Sequence, residues 1–347
     1  MKKVLSLLSV VVLSVSLLTL GACSSDKETL NVYTWADNFD PEVVKQFEKE
    51  FDVKVNMAVY GSNEEMLAKL QAGGSNYDLI QPSDYMVQTM IKLDMLEKIN
   101  KENIPNIKNL DTSFDKPPYD PTGEYSVIYT TGVTGIAYNK KYIKEVPDSW
   151  EDLWTINSKG RLVLLNDVRE VLGMGLIKNG YSNSSTNDAE IKKSYEDIKK
   201  LMPNLLAFDT DNIKQKLIAE EAYIGTLWNG DASYVFNENP DIGYVVPKEG
   251  GTIWADTFAV PKGAKNKELA EKFMDYILDP KVSAQNYEYV EYMNPNTAAK
   301  EFHSKEYLEN PMLNLSSEDL AKTEWLMDVG DKIKLYDQYW TELKAGK

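Results

Sequence analysis

The sequence predicts an α/β protein built as two lobes, and three observations lead there. The chain has 347 residues, room for two domains of roughly 100–200 residues each. Strand and helix patterns alternate in two successive series, with an extended segment between them. Apolar residues make up 43% of the chain, enough to supply sizeable cores.

The first residues stand apart from the fold. "MKKVLSLLSVVVLSVSLLTLGACSS" carries two lysines, an apolar run over Val4–Leu20 and small residues before Cys23, the pattern of a secretory leader. The run is near the lower length limit for spanning a bilayer, and its ending decides the reading. Leu20-Gly21-Ala22-Cys23 resembles the lipobox of bacterial lipoproteins, in which cleavage leaves Cys23 as a lipid-bearing N-terminus. Residues 1–22 are therefore expected to be a signal peptide and 23–29 a lipidated tether that anchors the protein to a membrane. Loss of Lys2 and Lys3 with the leader takes the formal charge from -16 to two charges lower.

The first series then begins. "LNVYTW" (30–35) reads as a strand. "PEVVKQFEKEF" (41–51) places Val43, Val44, Phe47 and Phe51 on one helical face, with Pro41 at the first helical position. "VKVNMAVY" alternates as a strand, and "SNEEMLAKLQAGG" opens with a capping box, Ser62 to Glu65, and stops at Gly73-Gly74. "YDLIQPS" is a third strand, and Asp84–Met95 is helical with Val87, Met90 and Ile91 inward. After the extended segment 125–139 a second series follows: strand "RLVLLND", helix "REVLGMGLIKNG", helix "AEIKKSYEDIKKLM" and strand "IGTLWNG". This β-α-β repetition predicts a parallel sheet with helices on its faces.

Composition narrows the function. The formal charge of -16, from 54 acidic against 38 basic residues, makes nucleic acid and anionic membrane surfaces poor partners and favours a cationic small molecule. One Cys and one His exclude an internal disulfide and leave too few ligands for a Cys/His zinc site, so no metal or other cofactor is expected. Ser-His-Asp chemistry would need His303, which in "KEFHSKEY" reads as a helix surface.

One stretch raises the functional question. "GTIWADTFAV" (251–260) reads as a buried strand, yet Asp256 sits within it, and an ionised carboxylate there costs several kcal/mol unless something meets it. In open α/β sheets ligands collect beyond the carboxyl ends of strands, so strand ends are the residues to inspect. Trp35 closes the first strand; Ser83 and Tyr85 follow the third. Asp167 and Glu170 end "LVLLND" and open the next helix. Trp228, Trp254 with Asp256, and Tyr292 complete the set. Each has a simpler reading: Asp167 and Glu170 as a capping box, Ser83 as an N-cap, any tryptophan as core. Their joint fall at strand ends of both lobes favours a site. Aromatic faces attract cations and cover methylenes, and separated carboxylates suit separated ammonium groups. The complementary ligand is a polyamine.

The mature chain resembles the spermidine/putrescine-binding proteins of bacterial polyamine ABC importers. The likeness is carried, in family order, by "VYTW", "YGSNEEMLAKLQAGGSNYDLIQPSDYMV", "NDVREVLGMGL", "LMPN", "WNG", "VVPKEGG" and "DVG". It implies a two-lobed periplasmic-binding-protein fold of type II with ligand clamped between lobes, 30–131 plus 258–300 forming one and 132–257 plus 301–347 the other. It also implies a monomer outside the cytoplasm, no enzyme activity, and a permease and an ATPase as partners. The nine residues above match the family's polyamine-binding positions. Ala36, Asn38 and Leu326 stand where better-known spermidine binders carry a hydroxyl-bearing residue, a tyrosine and a glutamine, which leaves the preferred amine open. Other readings remain: a solute-binding protein for sugar, ferric iron or another cation, a carboxylate glycosidase with Asp256 as second acid, or a surface adhesin.

Overall fold

The computed structural model describes residues 27–73, 76–158 and 160–346; the leader and Cys23 lie outside the described residues. Among the described residues, eleven strands form one sheet: β1 (Thr29–Thr34), β2 (Lys54–Val59), β3 (Leu79–Ile80), β4 (Leu96–Glu97), β5 (Ser126–Asn139), β6 (Leu162–Leu164), β7 (Leu205–Phe208), β8 (Ile224–Trp228), β9 (Ile242–Val245), β10 (Thr252–Pro261) and β11 (Glu324–Trp325). The main path runs β2-β1-β3-β10-β5-β8-β6-β7, with β4 and β11 on β10 and β9 on β5.

The local chemistry of the helices follows their sequence. Asp40 caps helix Pro41–Phe51 by accepting the Glu42 N–H at 2.9 Å, and Asp52 ends it in the left-handed region, φ 53°. Val43 and Phe47 are buried on its inner face, and Phe47 meets Phe273 edge-on at 4.9 Å. Ser62 caps helix Asn63–Gln71 through the Glu65 N–H, while the Glu65 carboxylate returns to Gly61 rather than to Ser62. The helix expected over 84–95 stops at Lys92, because Asp94 turns to φ 52° and Leu96–Glu97 is a strand.

The sheet is mixed, which corrects the parallel expectation. β1 pairs with β2 and β3, and β6 with β7 and β8, all parallel. β10 is antiparallel to β3 and β5, and β5 is antiparallel to β8 and β9. Parallel neighbours need a long, usually helical crossover, and both parallel sets have one. β5 is instead entered from short 3-10 turns and β10 follows β9 through a tight loop, so these two strands insert the other way round.

β5 threads more than one core, whereas the buried apolar residues of β10, Ala255, Phe258, Ala259 and Val260, all belong to the first. Val127, Ile128 and Tyr129 of β5 pack with Leu30, Phe47, Phe258 and Phe273. Farther along β5, Ile136 and Tyr138 pack with Trp150, Leu162, Leu172, Ile198 and Tyr336, and Ala137 packs on the opposite face with Val163, Leu217, Leu227 and Val235. Tyr307 and Leu313, late in the chain, return to the first core. Each fully buried aliphatic or aromatic side chain contributes about 1.5–3 kcal/mol. The ground between the cores lies along residues 130–135 of β5 and the first half of β10. That is where the candidate residues gather.

Candidate functional site

What meets Asp256 is a hydroxyl. Ser83 begins helix Asp84–Lys92 but makes no cap bond; its Oγ–H donates to Asp256 Oδ1 at 2.6 Å, and the two residues form an isolated antiparallel bridge. Ser83 is itself fixed from behind. Asn63 Nδ2 donates to Ser83 Oγ at 3.0 Å and to the Tyr85 hydroxyl at 3.1 Å, while Asn63 Oδ1 accepts the Ser83 N–H at 3.1 Å. The Tyr85 phenol donates onward to Glu64 Oε1 at 3.0 Å. Register against β5 slips beside Asp256, which faces Thr130 while Thr257 faces Ile128. Tyr129 is the extra residue of that bulge, a device that re-aims neighbouring side chains.

Trp35 completes this end. Its indole stands edge-on to Tyr60 at 4.5 Å, and Tyr60 donates its hydroxyl to the Gln81 carbonyl. The Trp35 side chain lies near enough to lower the Asp256 pKa, although its buried Nε1 closes no hydrogen bond of good geometry. Burial is the larger influence: it pushes the Asp256 carboxyl up to about 6, against the lowering by Ser83 and Trp35. No cation figures among these influences.

A second carboxylate sits on helix Val168–Lys178. Asp167 caps that helix, Oδ1 accepting the N–H groups of Arg169 at 2.8 Å and Glu170 at 3.0 Å. Glu170 does not close the expected box. Its Oε1 accepts from Thr134 Oγ1 at 2.9 Å and from Trp228 Nε1 at 3.2 Å, and its buried Oε2 has no partner. Burial first, then the Asp167 charge, push the Glu170 carboxyl up to about 8, against the bonds from Trp228 and Thr134 and the Arg169 charge. Arg169 spends its guanidinium elsewhere, donating to the Met327 carbonyl at 3.0 Å and lying over the Tyr336 ring.

An aromatic wall joins the two acids. Trp254 shares a face of β10 with Asp256, two residues on. Its ring is 6.3 Å from Trp228 and 5.4 Å from Tyr292, steeply inclined to both. Two glycines make room. A Cβ on Gly132 would stand 2.2 Å from Trp254 Cζ2, and one on Gly230 would stand 2.4 Å from the Tyr292 ring. Trp254 Nε1 is buried without a partner. Burial is the main cause that raises the Tyr292 and Tyr85 phenol pKa values, and the charge of Asp256 adds to the first and that of Asp167 to the second, so groups from distant strand ends lie within electrostatic reach of one another.

The nine residues thus form a connected set: Trp35, Ser83, Tyr85 and Asp256 at one end, Asp167, Glu170 and Trp228 at the other, and Trp254 with Tyr292 between. Asp167 is the least free of them, one oxygen being committed to the helix cap. Asp84 was missed. It is fully buried, its Oδ1 accepts the Tyr85 N–H at 2.7 Å, its Oδ2 has no partner, and burial raises its pKa well above the carboxylate range. As an acid in a first helical turn it carried no signal beyond the helix dipole. Asn63 and Thr134 also carried none, whereas Gly132, a glycine inside a strand pattern, did mark a close approach.

Three further positions are distinct in kind. Ala36 is exposed, Leu326 is buried, and Asn38 is a buried scaffold residue whose Nδ2 donates to Gln81 Oε1 at 2.8 Å. His303 corrects an expectation. Rather than a helix surface, its ring stacks on Tyr307 at 3.8 Å, between Glu288 at 3.0 Å and Asn294 at 3.1 Å. The 3-10 turn Thr297–Phe302 ends just before it and turns the ring inward.

Residues 42–314 match the family model described as bacterial extracellular solute-binding protein. The chain belongs to that family. Within it, the chain is 40% identical over 329 residues to the spermidine/putrescine-binding periplasmic protein of Salmonella typhimurium, covering 94% of each chain. It is 32% identical over 351 residues to the putrescine-binding periplasmic protein PotF of Escherichia coli, covering 95% of each. Among solved structures, the spermidine/putrescine ABC transporter substrate-binding protein PotD from Streptococcus pneumoniae superposes with a TM-score of 0.83 at 33% identity, covering 92% of this chain and 99% of that one. The family fold, two lobes of type II periplasmic-binding-protein architecture, is the fold of this chain.

Proposed function

We propose that the protein is the substrate-binding subunit of an ABC importer, capturing spermidine or putrescine outside the cytoplasm and passing it to a permease with its ATPase. One observation carries the reading: two carboxylates, the half-buried Asp256 and the buried Glu170, have no ion-pair partner among the described residues and stand at opposite ends of a wall of Trp228, Trp254 and Tyr292. A protein does not leave such groups unneutralised at no cost, and an alkyl diammonium supplies a charge at each end. A four-methylene chain against the wall contributes roughly 3 kcal/mol. Micromolar binding needs about 8 kcal/mol net, the remainder coming from ion pairs and cation–π contacts, about 2 kcal/mol each when desolvated.

The binding residues are then Trp35, Ser83, Tyr85, Asp167, Glu170, Trp228, Trp254, Asp256 and Tyr292. The lobes are residues 30–131 with 258–300, and 132–257 with 301–347. The change of core along β5 between Tyr129 and Ile136 supports the first crossing, whereas Ala255, Tyr307 and Leu313 pack in the first core and so draw those parts of the boundaries toward the first lobe. Closure of the lobes on ligand would present the permease with a shape the empty protein lacks. Cys23 would hold the mature protein, as a monomer, to the membrane; Cys23→Ser should release it into the soluble fraction, and retention in the membrane fraction would count against the anchor.

Calorimetry with a polyamine panel tests the core of the reading. Saturable heat with putrescine or spermidine is expected, and no heat with any member at millimolar ligand removes it. The named relatives are binding proteins, which sets aside the glycosidase alternative; turnover of a chromogenic glycoside panel would restore it.

A further inference from the structure

Behind the Trp254–Tyr292 wall stands a pair of opposite charges. Asp231 lies in the first turn of helix Asn229–Glu238, and its Oδ1 accepts the Tyr292 phenol at 3.2 Å while pairing with Lys214 Nζ, also at 3.2 Å. The Asp231 side chain is 13% exposed and that of Lys214 32%, so the pair is only partly screened by solvent. The Lys214 ammonium also sits 5.2 Å from the centre of the Tyr234 ring. Helix position accounts for an acid at residue 231. It does not account for a phenol and an ammonium meeting on the same oxygen.

The rest of Tyr292 is already fixed. Its carbonyl accepts the Tyr307 phenol at 2.5 Å, its ring lies against Gly230, and the preceding Glu291 is held by Ser233 and Asn237. Only the hydroxyl end is left for Asp231 to direct. Donation to Asp231 turns that hydroxyl's proton away and polarises its oxygen, making it a better acceptor for an ammonium N–H at the wall. Lys214 cancels the carboxylate's charge, so the cage feels a dipole there rather than a further full negative charge.

We propose that Asp231 is a positioning residue for the ligand cage and that Lys214 sets how much negative charge the cage presents to a cationic ligand. The inference rests on reading the wall as part of an amine site. It gives the protein an adjustable element separate from the carboxylates that contact ligand.

Single and double variants of the full chain separate the two roles. Lys214→Met leaves Asp231 unneutralised and should tighten spermidine binding by roughly three- to tenfold, with a steeper fall in affinity on adding salt. Lys214→Met with Asp231→Asn removes both charges but keeps an acceptor oxygen for Tyr292, and should bind within about twofold of wild type. Lys214→Met with Asp231→Ala removes the acceptor as well and should bind about fivefold more weakly than the Asn double variant. Calorimetry at two salt concentrations, with melting curves to verify folding, reads all three. Unchanged or weaker binding by a normally folded Lys214→Met variant overturns the charge role, and equal binding by the two double variants overturns the positioning role. Wild-type protein silent to every amine overturns the cage reading and this inference together, whereas wild-type binding with unresponsive variants overturns the inference alone.

Discussion

If Glu170 meets an ammonium of the ligand, as proposed, the site should be proton-linked, and the size of the linkage follows from its burial. Raising its carboxyl from 4.5 to about 8 means that ionising it in the empty site costs on the order of 5 kcal/mol more than in water. At pH 7 roughly nine molecules in ten carry the proton on Glu170, and removing it costs about 1.4 kcal/mol. An incoming ammonium needs the carboxylate, so binding at pH 7 should release close to one proton. Aliphatic amines stay charged throughout this range. Affinity should therefore fall about tenfold for each pH unit below 8, and faster below about 6, where Asp256 also takes up a proton. Glu170→Gln should weaken binding at pH 8 and flatten the dependence between pH 6 and 8. Calorimetry in two buffers of different ionisation enthalpy measures both affinity and protons released. A wild-type affinity that is constant from pH 6 to 8, with no proton released, would refute this account of Glu170.

The same groups act on stability in the absence of ligand. Both folded pKa values are raised, so the stability they contribute is complete below the unfolded values of 4.5 and 3.8 and is lost as pH rises through about 8 for Glu170 and about 6 for Asp256. Melting of the ligand-free protein should accordingly drop between pH 5 and 8, and saturating polyamine should remove most of the drop; parallel curves with and without ligand would contradict it. Asp256→Asn should weaken amine binding more than tenfold, since a charge-assisted contact is worth about 1.5–3 kcal/mol; a near-normal affinity by calorimetry would mean Asp256 does not meet the ligand. Gly132→Ala puts a methyl 2.2 Å from the Trp254 ring and should displace the indole, seen as a changed tryptophan fluorescence and at least tenfold weaker binding. Phe47→Ala, in the first core and touching Phe51, Phe273 and Tyr276 rather than any site residue by ring contact, should cost about 3–5 kcal/mol in denaturant unfolding while leaving affinity at low temperature unaltered.

Much of the fold was legible because its signals are local. Pro41 and the spacing of Val43 and Phe47 specify a helix whatever surrounds them, and they do so here. The direction of β5 and β10 was not legible. Periodicity reports which residues face a core, not which strand lies alongside, and β10 takes partners from Ile80 to Trp325. His303 shows the same limit on a smaller scale: polar neighbours in sequence suggested solvent, but Glu288 and Asn294 come from other elements to enclose it.

For the site, residue types and strand-end positions were readable, and the choice between structural and binding roles was not. Ser83 is the clearest case. Its sequence context suits an N-cap, and only the arrival of Asp256 from 173 positions away diverts the hydroxyl. Taken alone, the amino-acid order established an acidic, two-series α/β chain carrying indoles, phenols and carboxylates at strand ends, because those properties depend on composition and on neighbours a few residues apart. Only the tertiary structure decided which carboxylates would be buried without a cation, since desolvation and charge pairing depend on groups brought together from remote parts of the chain.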